Sequence, residues 1–327
     1  MNITWFKMLF LGFCILICAC TTPPPVTHIA GEGIGTYYQI TIADKNDITQ
    51  SQIDSVIATL NQTASIFNPN SLVSRINRNE TDTLNEILKQ IIEISLNVCE
   101  ETSGAFDFTI GTLVNLWGFG KDVQKETTQE EIDCALKSVD YTKITVDHYK
   151  IIKENLDTQL NFNAVAKGYC VDMVTDFLVS KGLQNFIVDI GGELYVSGKR
   201  TPHAKWRVGI QKPTENQEGE IASEEIIELQ DIAVATSGNY RNYREINGKR
   251  TGHTLNPHTG YPETSNLLSA TVLASTCARA DAYATAFMVM GAEKAKAFLV
   301  KHPELKAYFI EEAQKSGSAE TQKIINH

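Results

Sequence analysis

Strand-like and helical stretches follow one another in this chain without regular alternation, and several strands come in pairs across a tight break. Residues 185–190 and 193–197 read as strands, with only Gly191-Gly192 between them. Residues 143–152 read as a hairpin around Asp147-His148. Alternating or apolar runs at 36–42, 206–211, 226–229, 232–236, 267–274 and 306–310 predict further strands. Ile53, Val56, Ile57 and Leu60 are spaced i, i+3, i+4, i+7, the stripe of an amphipathic helix. Similar spacing predicts helices over 84–99, around Ile132 to Val139, over 278–290 and over 292–301. Residues 105–109 read as a short extended piece, and 113–120 and 251–260 as Gly-punctuated loops. This order defines an α+β fold, with mixed or antiparallel sheets flanked by helices.

The run NFNAVAKGYCVD, from Asn161 to Asp172, stands at the centre of this order. Gln159-Leu160-Asn161-Phe162 reads as the end of a strand, and Val171, Val174, Phe177 and Leu178 continue with helical spacing until Gly182. A helix N-terminus offers free N–H groups and a positive dipole end, which suits an anion. Lys167, in the first turn, either contacts a phosphate or is a surface lysine with a packed stem. The glycines of Gly31-Glu32-Gly33-Ile34-Gly35 precede a strand instead of following one, so they do not form a dinucleotide-binding loop.

The net charge of −10 argues against a general nucleic-acid binder, which needs a basic footprint. It leaves phosphorylated small molecules open, because one bound metal ion reverses the local field. At the N-terminus a short apolar run over 8–19 is followed by Cys20 and a Thr-Thr-Pro-Pro-Pro tether. Ile17-Cys18-Ala19-Cys20 resembles a bacterial lipobox with Cys20 as the lipid acceptor; the other reading is an ordinary cleaved signal. The expected organisation is a lipoprotein signal peptide at 1–19, a tether at 20–32, one catalytic unit at 33–315 and a polar tail at 316–327. The chain would be anchored by lipid on the periplasmic side, at the inner or the outer membrane. Of the seven cysteines, Cys99, Cys134, Cys170 and Cys277 lie beyond this segment, match no metal motif and read as buried small apolar residues.

Two further groups carry chemistry. Asp281 and Thr285 stand i, i+4 on one helix face among small residues. A carboxylate with a hydroxyl suits a hard, oxygen-liganded cation such as Mg²⁺; the alternative is a cap-like Asp and a Thr bonded back to its own helix. In Gly252-His253-Thr254-Leu255-Asn256-Pro257-His258-Thr259-Gly260, His253 has room for a substrate and can take a proton from a hydroxyl, while His258 reads as structural or solvent-facing. The sequence contains no HExxH, paired CxxC or GxSxG motif.

Taken in order, these segments resemble the ApbE family of FAD:protein FMN transferases. The likeness rests on Ser71 to Asn77, Gly104-Ala105-Phe106-Asp107, Asn161 to Tyr169, Asp189-Ile190-Gly191-Gly192-Glu193, Thr236 to Tyr240, Gly252 to Gly260 and Ala280 to Ala286. The resemblance implies a T-fold-like single catalytic unit. It implies Mg²⁺-dependent transfer of FMN from FAD to a Thr or Ser hydroxyl of a target flavoprotein, with AMP leaving. It also implies Mg²⁺ held by the carbonyl of Ala164 and the side chains of Asp281 and Thr285. FAD contacts carry over to Ile34, Phe67, Ala105, Phe106, Asp107, Asn161, Lys167 and His253, with His253 as the base, or Asp281 in its place. Two positions depart from the pattern. Asn161 stands where the family often has Asp, and Ala284 where some members carry a second Asp. The implied target is an exported subunit of a membrane redox complex, of the sodium-pumping quinone reductase or Rnf type. The competing readings are an FAD pyrophosphatase yielding FMN and AMP, and a non-catalytic periplasmic FAD-binding lipoprotein.

Overall fold

The computed structural model describes residues 26–120, 127–211, 223–238, 243–246, 249–252, 254–311 and 323–326. It opens with a hairpin of β1 (Thr27–Gly33) and β2 (Thr36–Ile42). Helices α1 (Gln50–Ala64), α2 (Leu72–Asn77), α3 (Glu86–Glu101), α4 (Gly111–Leu116) and α5 (Gln129–Leu136) follow. A small hairpin, β3 (Ile144–Asp147) with β4 (Lys150–Lys153), leads to α6 (Ala166–Ser180). Strands β5 (Phe186–Ile190), β6 (Glu193–Ser197), β7 (Trp206–Gln211), β8 (Ser223–Leu229) and β9 (Ile232–Gly238) come next. After β10 (Tyr243–Ile246), β11 (Lys249–Gly252) and β12 (Leu267–Ala274) come α7 (Cys277–Met290), α8 (Ala292–Leu299), β13 (Lys306–Glu311) and β14 (Lys323–Asn326).

An eight-stranded sheet in the order β1-β2-β5-β6-β9-β12-β13-β14 forms the frame, and every pairing in it is antiparallel. Successive strand residues point to opposite faces, so both faces can be read from β9 and β12. Ala233, Ala235 and Val272 belong to the main core with α1, α3, α6 and α7. Val234 and Leu273 face the other way, onto Trp206, Val208, Ile227 and Leu229 of the β7–β8 hairpin. A strand buried on both faces loses the apolar–polar alternation and reads as a continuous apolar run. Helix α7 is buried almost all round, packed on β9 and β12 and against α3, α6 and α8. Its alanines permit that close approach.

The structure corrects several expectations. Of the two sheet types expected, mixed or antiparallel, the structure has the antiparallel one. The tether expected to reach residue 32 gives way at Thr27 to β1, whose Gly31 and Gly33 leave space filled by Tyr38 and Ile57. Within the expected polar tail, residues 323–326 pair with β13. Residues 105–109 form turns, not an extended piece, and α4 occupies part of the expected loop at 113–120. Gln159 makes a single bridge to Ile110, so no strand runs directly into α6. Cys99, Cys170 and Cys277 are buried, but Cys134 is exposed. Cys20 lies outside the described residues. No helix among those described is long and apolar enough to cross a membrane.

Candidate active site

Two hairpin turns meet at one end of the sheet, because β2 pairs with β5. Gly191 and Gly192 join β5 to β6 with φ of 68° and 103°, a turn that requires the left-handed region at both positions. The Gly192 amide donates to Asp189 Oδ1 at 2.9 Å and the Gly191 amide to the Tyr37 carbonyl at 3.0 Å. The neighbouring turn is Ile34-Gly35, and Ile34 has φ 45°. A β-branched residue is strained there, and such outliers gather at binding sites.

The approach to α6 is tied down from several sides. The Asn161 amide donates to the Phe108 carbonyl at 2.7 Å, and Asn161 Oδ1 accepts from the Asn163 amide at 2.9 Å. A neutral side chain performs that turn-closing role as well as a carboxylate would. The Asn77 amide group brackets Leu160, accepting from its N–H and donating to its carbonyl, both at 2.8 Å. Asp107 accepts from the Thr109 amide and hydroxyl and from the Tyr141 amide. Burial pushes the Asp107 carboxyl up, and those hydrogen bonds oppose the rise. The turn that presents Ala105 and Phe106 is thereby fixed.

Helices α6 and α7 are stitched together reciprocally. Asp172 of α6 accepts from the amides of Cys277 and Ala278 at 2.7 and 2.8 Å, capping the start of α7. Asp281 of α7 accepts from the Gly168 amide at 3.0 Å. Gly168 must be glycine, because a Cβ there would lie 2.2 Å from the Cys277 carbonyl oxygen. In a regular turn the Gly168 N–H would close on the Ala164 carbonyl. It goes to Asp281 instead, and no backbone donor among the described residues bonds that carbonyl.

Between the hairpin turns and this helix junction opens a cleft of about 1200 Å³. Ile34, Phe67, Ala105, Phe106, Asp107, Asn161, Ala164, Lys167, Asp281 and Thr285 all line it, so the structure brings together every expected site residue that it describes. His253 lies outside the described residues; its chain neighbours Thr254 and Leu255 are in the lining. Phe67 is a large exposed apolar side chain in this lining, 59% accessible.

Charge concentrates where α6 meets β6. Lys167 Nζ lies 3.0 Å from Glu193 Oε1 and 3.7 Å from Asp281 Oδ2. Both carboxylates are nearly inaccessible, at 4% and 3%, while the Lys167 side chain keeps 33% exposure toward the cleft. Burial pulls the Lys167 ammonium down, but Asp281 and Glu193 outweigh it and hold it above the ordinary lysine range. Burial pushes the Glu193 carboxyl up, against the attraction of Lys167. Glu193 Oε2 is buried and has no hydrogen-bond partner among the described residues. Sequence reasoning assigned Glu193 and Asp172 no role, although both fall within quoted motifs. The available signal for Glu193 was a charged residue opening an apolar strand.

The donors fit Mg²⁺. An open carbonyl at Ala164, the buried Asp281 carboxylate and the Thr285 hydroxyl, 3.1 Å from Ser237 Oγ, are all hard oxygen ligands facing one cleft. No group of three or more His, Cys, Asp or Glu among the described residues forms a separate metal centre.

An antiparallel α+β unit of this build is the architecture of solved flavin transferases. Flavin transferase ApbE from Vibrio cholerae superposes with a TM-score of 0.81 at 30% identity, covering 92% of this chain and 97% of that one. The apo flavinyl transferase ApbE of Pseudomonas stutzeri superposes with a TM-score of 0.79 at 29% identity, covering 91% and 94%. The chain belongs to the ApbE family, whose profile matches residues 34–309. The FAD:protein FMN transferase of Vibrio cholerae serotype O1 is 34% identical over 298 residues, 88% of each chain. That of Escherichia coli K12 is 31% identical over 335 residues, 95% of this chain and 93% of the relative.

Proposed function

We propose that this chain transfers FMN from FAD to a Thr or Ser hydroxyl of a target flavoprotein subunit, releasing AMP in a Mg²⁺-dependent reaction. The observation that carries the reading is Lys167, a partly exposed cation held between two buried carboxylates in the lining of a cleft of about 1200 Å³. Family membership and the names of the relatives support the transferase class.

FAD lies along the cleft with Phe67, Phe106 and Ile34 as apolar contacts and its pyrophosphate toward Lys167. The target hydroxyl attacks the phosphorus attached to riboflavin; a P–O bond to the target forms as the P–O bond to AMP breaks. The attacking hydroxyl gives its proton to His253, with Asp281 as the other candidate acceptor. AMP leaves as a phosphate anion, and the Lys167 ammonium stabilises charge building on the pyrophosphate oxygens. Ala164, Asp281 and Thr285 would hold Mg²⁺, which supplies Lewis-acid polarisation and neutralises phosphate charge. The target would be an exported subunit of a membrane redox complex, met on the periplasmic side by an enzyme anchored through Cys20.

Mass spectrometry of a target domain co-expressed with this chain tests the proposal. One FMN on a Thr or Ser, with AMP released, is the expected result. AMP and free FMN without flavin on the target would assign hydrolysis instead. FAD binding without turnover would overturn both.

A further inference from the structure

We propose that Glu193 is a positioning residue that keeps Lys167 off Asp281, leaving the Asp281 carboxylate available to a divalent cation. The inference rests on the cation and phosphate roles proposed above for Asp281 and Lys167. Lys167 has two buried acceptors and sits closer to Glu193, at 3.0 Å against 3.7 Å for Asp281. An ammonium that closed on Asp281 would be an internal counter-ion in the place a metal needs. Glu193 offers the stronger contact and draws it aside.

Its placement suits that work. Glu193 is the first residue of β6, directly after the two-glycine turn, with its Cα register fixed opposite Ile190. The Asp189–Gly192 hydrogen bond braces the turn. The carboxylate therefore rests on a rigid corner, whereas Lys167 swings on a flexible stem. A structural carboxylate in a buried position has both oxygens satisfied, because a buried oxygen left unpaired is costly. Glu193 Oε2 has no hydrogen-bond partner among the described residues, so within them the residue does not serve as a hydrogen-bond hub. Among the described residues its side chain is held by the ion pair with Lys167.

The test is calorimetric titration of MgCl₂ into the purified metal-free full chain, alone and with AMP, beside the Mg²⁺ dependence of FMN transfer. Glu193→Gln should weaken Mg²⁺ binding about tenfold, within the coupling expected of neighbouring charged residues. Lys167→Met should tighten it, because the competing ammonium is gone. The decisive comparison is Glu193→Gln made in the Lys167→Met background, where Mg²⁺ affinity should change less than about twofold. Glu193→Asp, which keeps the charge but shortens its reach, should recover part of the loss. An equal loss in both backgrounds would make Glu193 a direct cation ligand or a simple charge effect, and would overturn the inference. So would unchanged affinity in the single Glu193→Gln variant. If the unaltered chain neither binds Mg²⁺ nor needs it for transfer, the cation reading of the cleft falls, and this inference with it. Thermal melts of each variant establish that it is folded.

Discussion

Asp172 and Glu193 are both acidic residues withdrawn from solvent near the start of α6 and α7, and they are treated in opposite ways. Asp172 accepts two backbone amides, from Cys277 and Ala278, and thereby caps a helix. Glu193 holds a lysine with one oxygen and, among the described residues, nothing with the other. Asp281 stands between these cases, accepting one amide on the oxygen nearest Lys167. A carboxylate saturated by the backbone has its energy invested in the fold. One left short of partners beside a cleft keeps field and lone pairs for groups the chain itself does not supply. The same helix junction thus has a side that holds and a side that works.

The largest effect that would sharpen this contrast belongs to the working side. Asp281→Ala should cut FMN transfer by on the order of 10³, as removal of a key electrostatic group at a phosphoryl site does. Target flavinylation read by mass spectrometry measures it, and a rate near that of the unaltered chain would erase the distinction. On the holding side, Gly168→Ala drives a methyl into the Cys277 carbonyl, 2.2 Å away, and should cost about 3 kcal/mol in urea denaturation. A variant of unchanged stability would mean that the α6–α7 contact yields easily.

Asp172→Ala should cost about 1–3 kcal/mol, by leaving two amides of α7 without their acceptor. Asp172 also sets a pH dependence. Withdrawal from solvent is the main cause that pushes its carboxyl up to about 7, with the two amides opposing and Asp176 and Asp281 adding to the rise. The folded state then keeps a proton that the unfolded chain loses near pH ~4. The stabilising contribution of Asp172 therefore falls as pH rises from about 4 to 7. The stability difference between the unaltered chain and Asp172→Asn should decline across that window, and a flat difference would refute the assignment. The smallest effect concerns Ile34. Ile34→Asn relieves a β-branched residue at φ 45°, and should stabilise the chain by about 1 kcal/mol while weakening FAD binding. Loss of stability would mean that the turn is not strained.

What could be read from the sequence follows from how local each cause is. Helices α1, α3 and α5 announce themselves through 3.6-residue spacing, and β2, β6 and β12 match their predicted bounds because their apolar runs end at turns. Helix α4 escaped, since Gly111 opens it and Gly118 follows it; its stability comes from packing Leu113 and Trp117 against α5 and Leu255. Strand β1 escaped because its glycines mask the alternation, and only the fold shows Tyr38 and Ile57 filling their place. In the cleft, individual residues were legible through their chemistry and through family motifs. Their pairings were not. The Gly168–Asp281 hydrogen bond spans 113 positions and the Asp172–Cys277 cap 105, distances over which no spacing rule operates.

That separation divides the charge of the site between two distant segments of the chain. The segment up to β6 carries Lys167 and Glu193, a pair whose charges cancel. Asp281 arrives only with α7, and with it the surplus negative charge that would draw a divalent cation. The excess charge at Lys167 is thus set by the docking of α7 on α6, so the packing of two helices doubles as the step that completes the site.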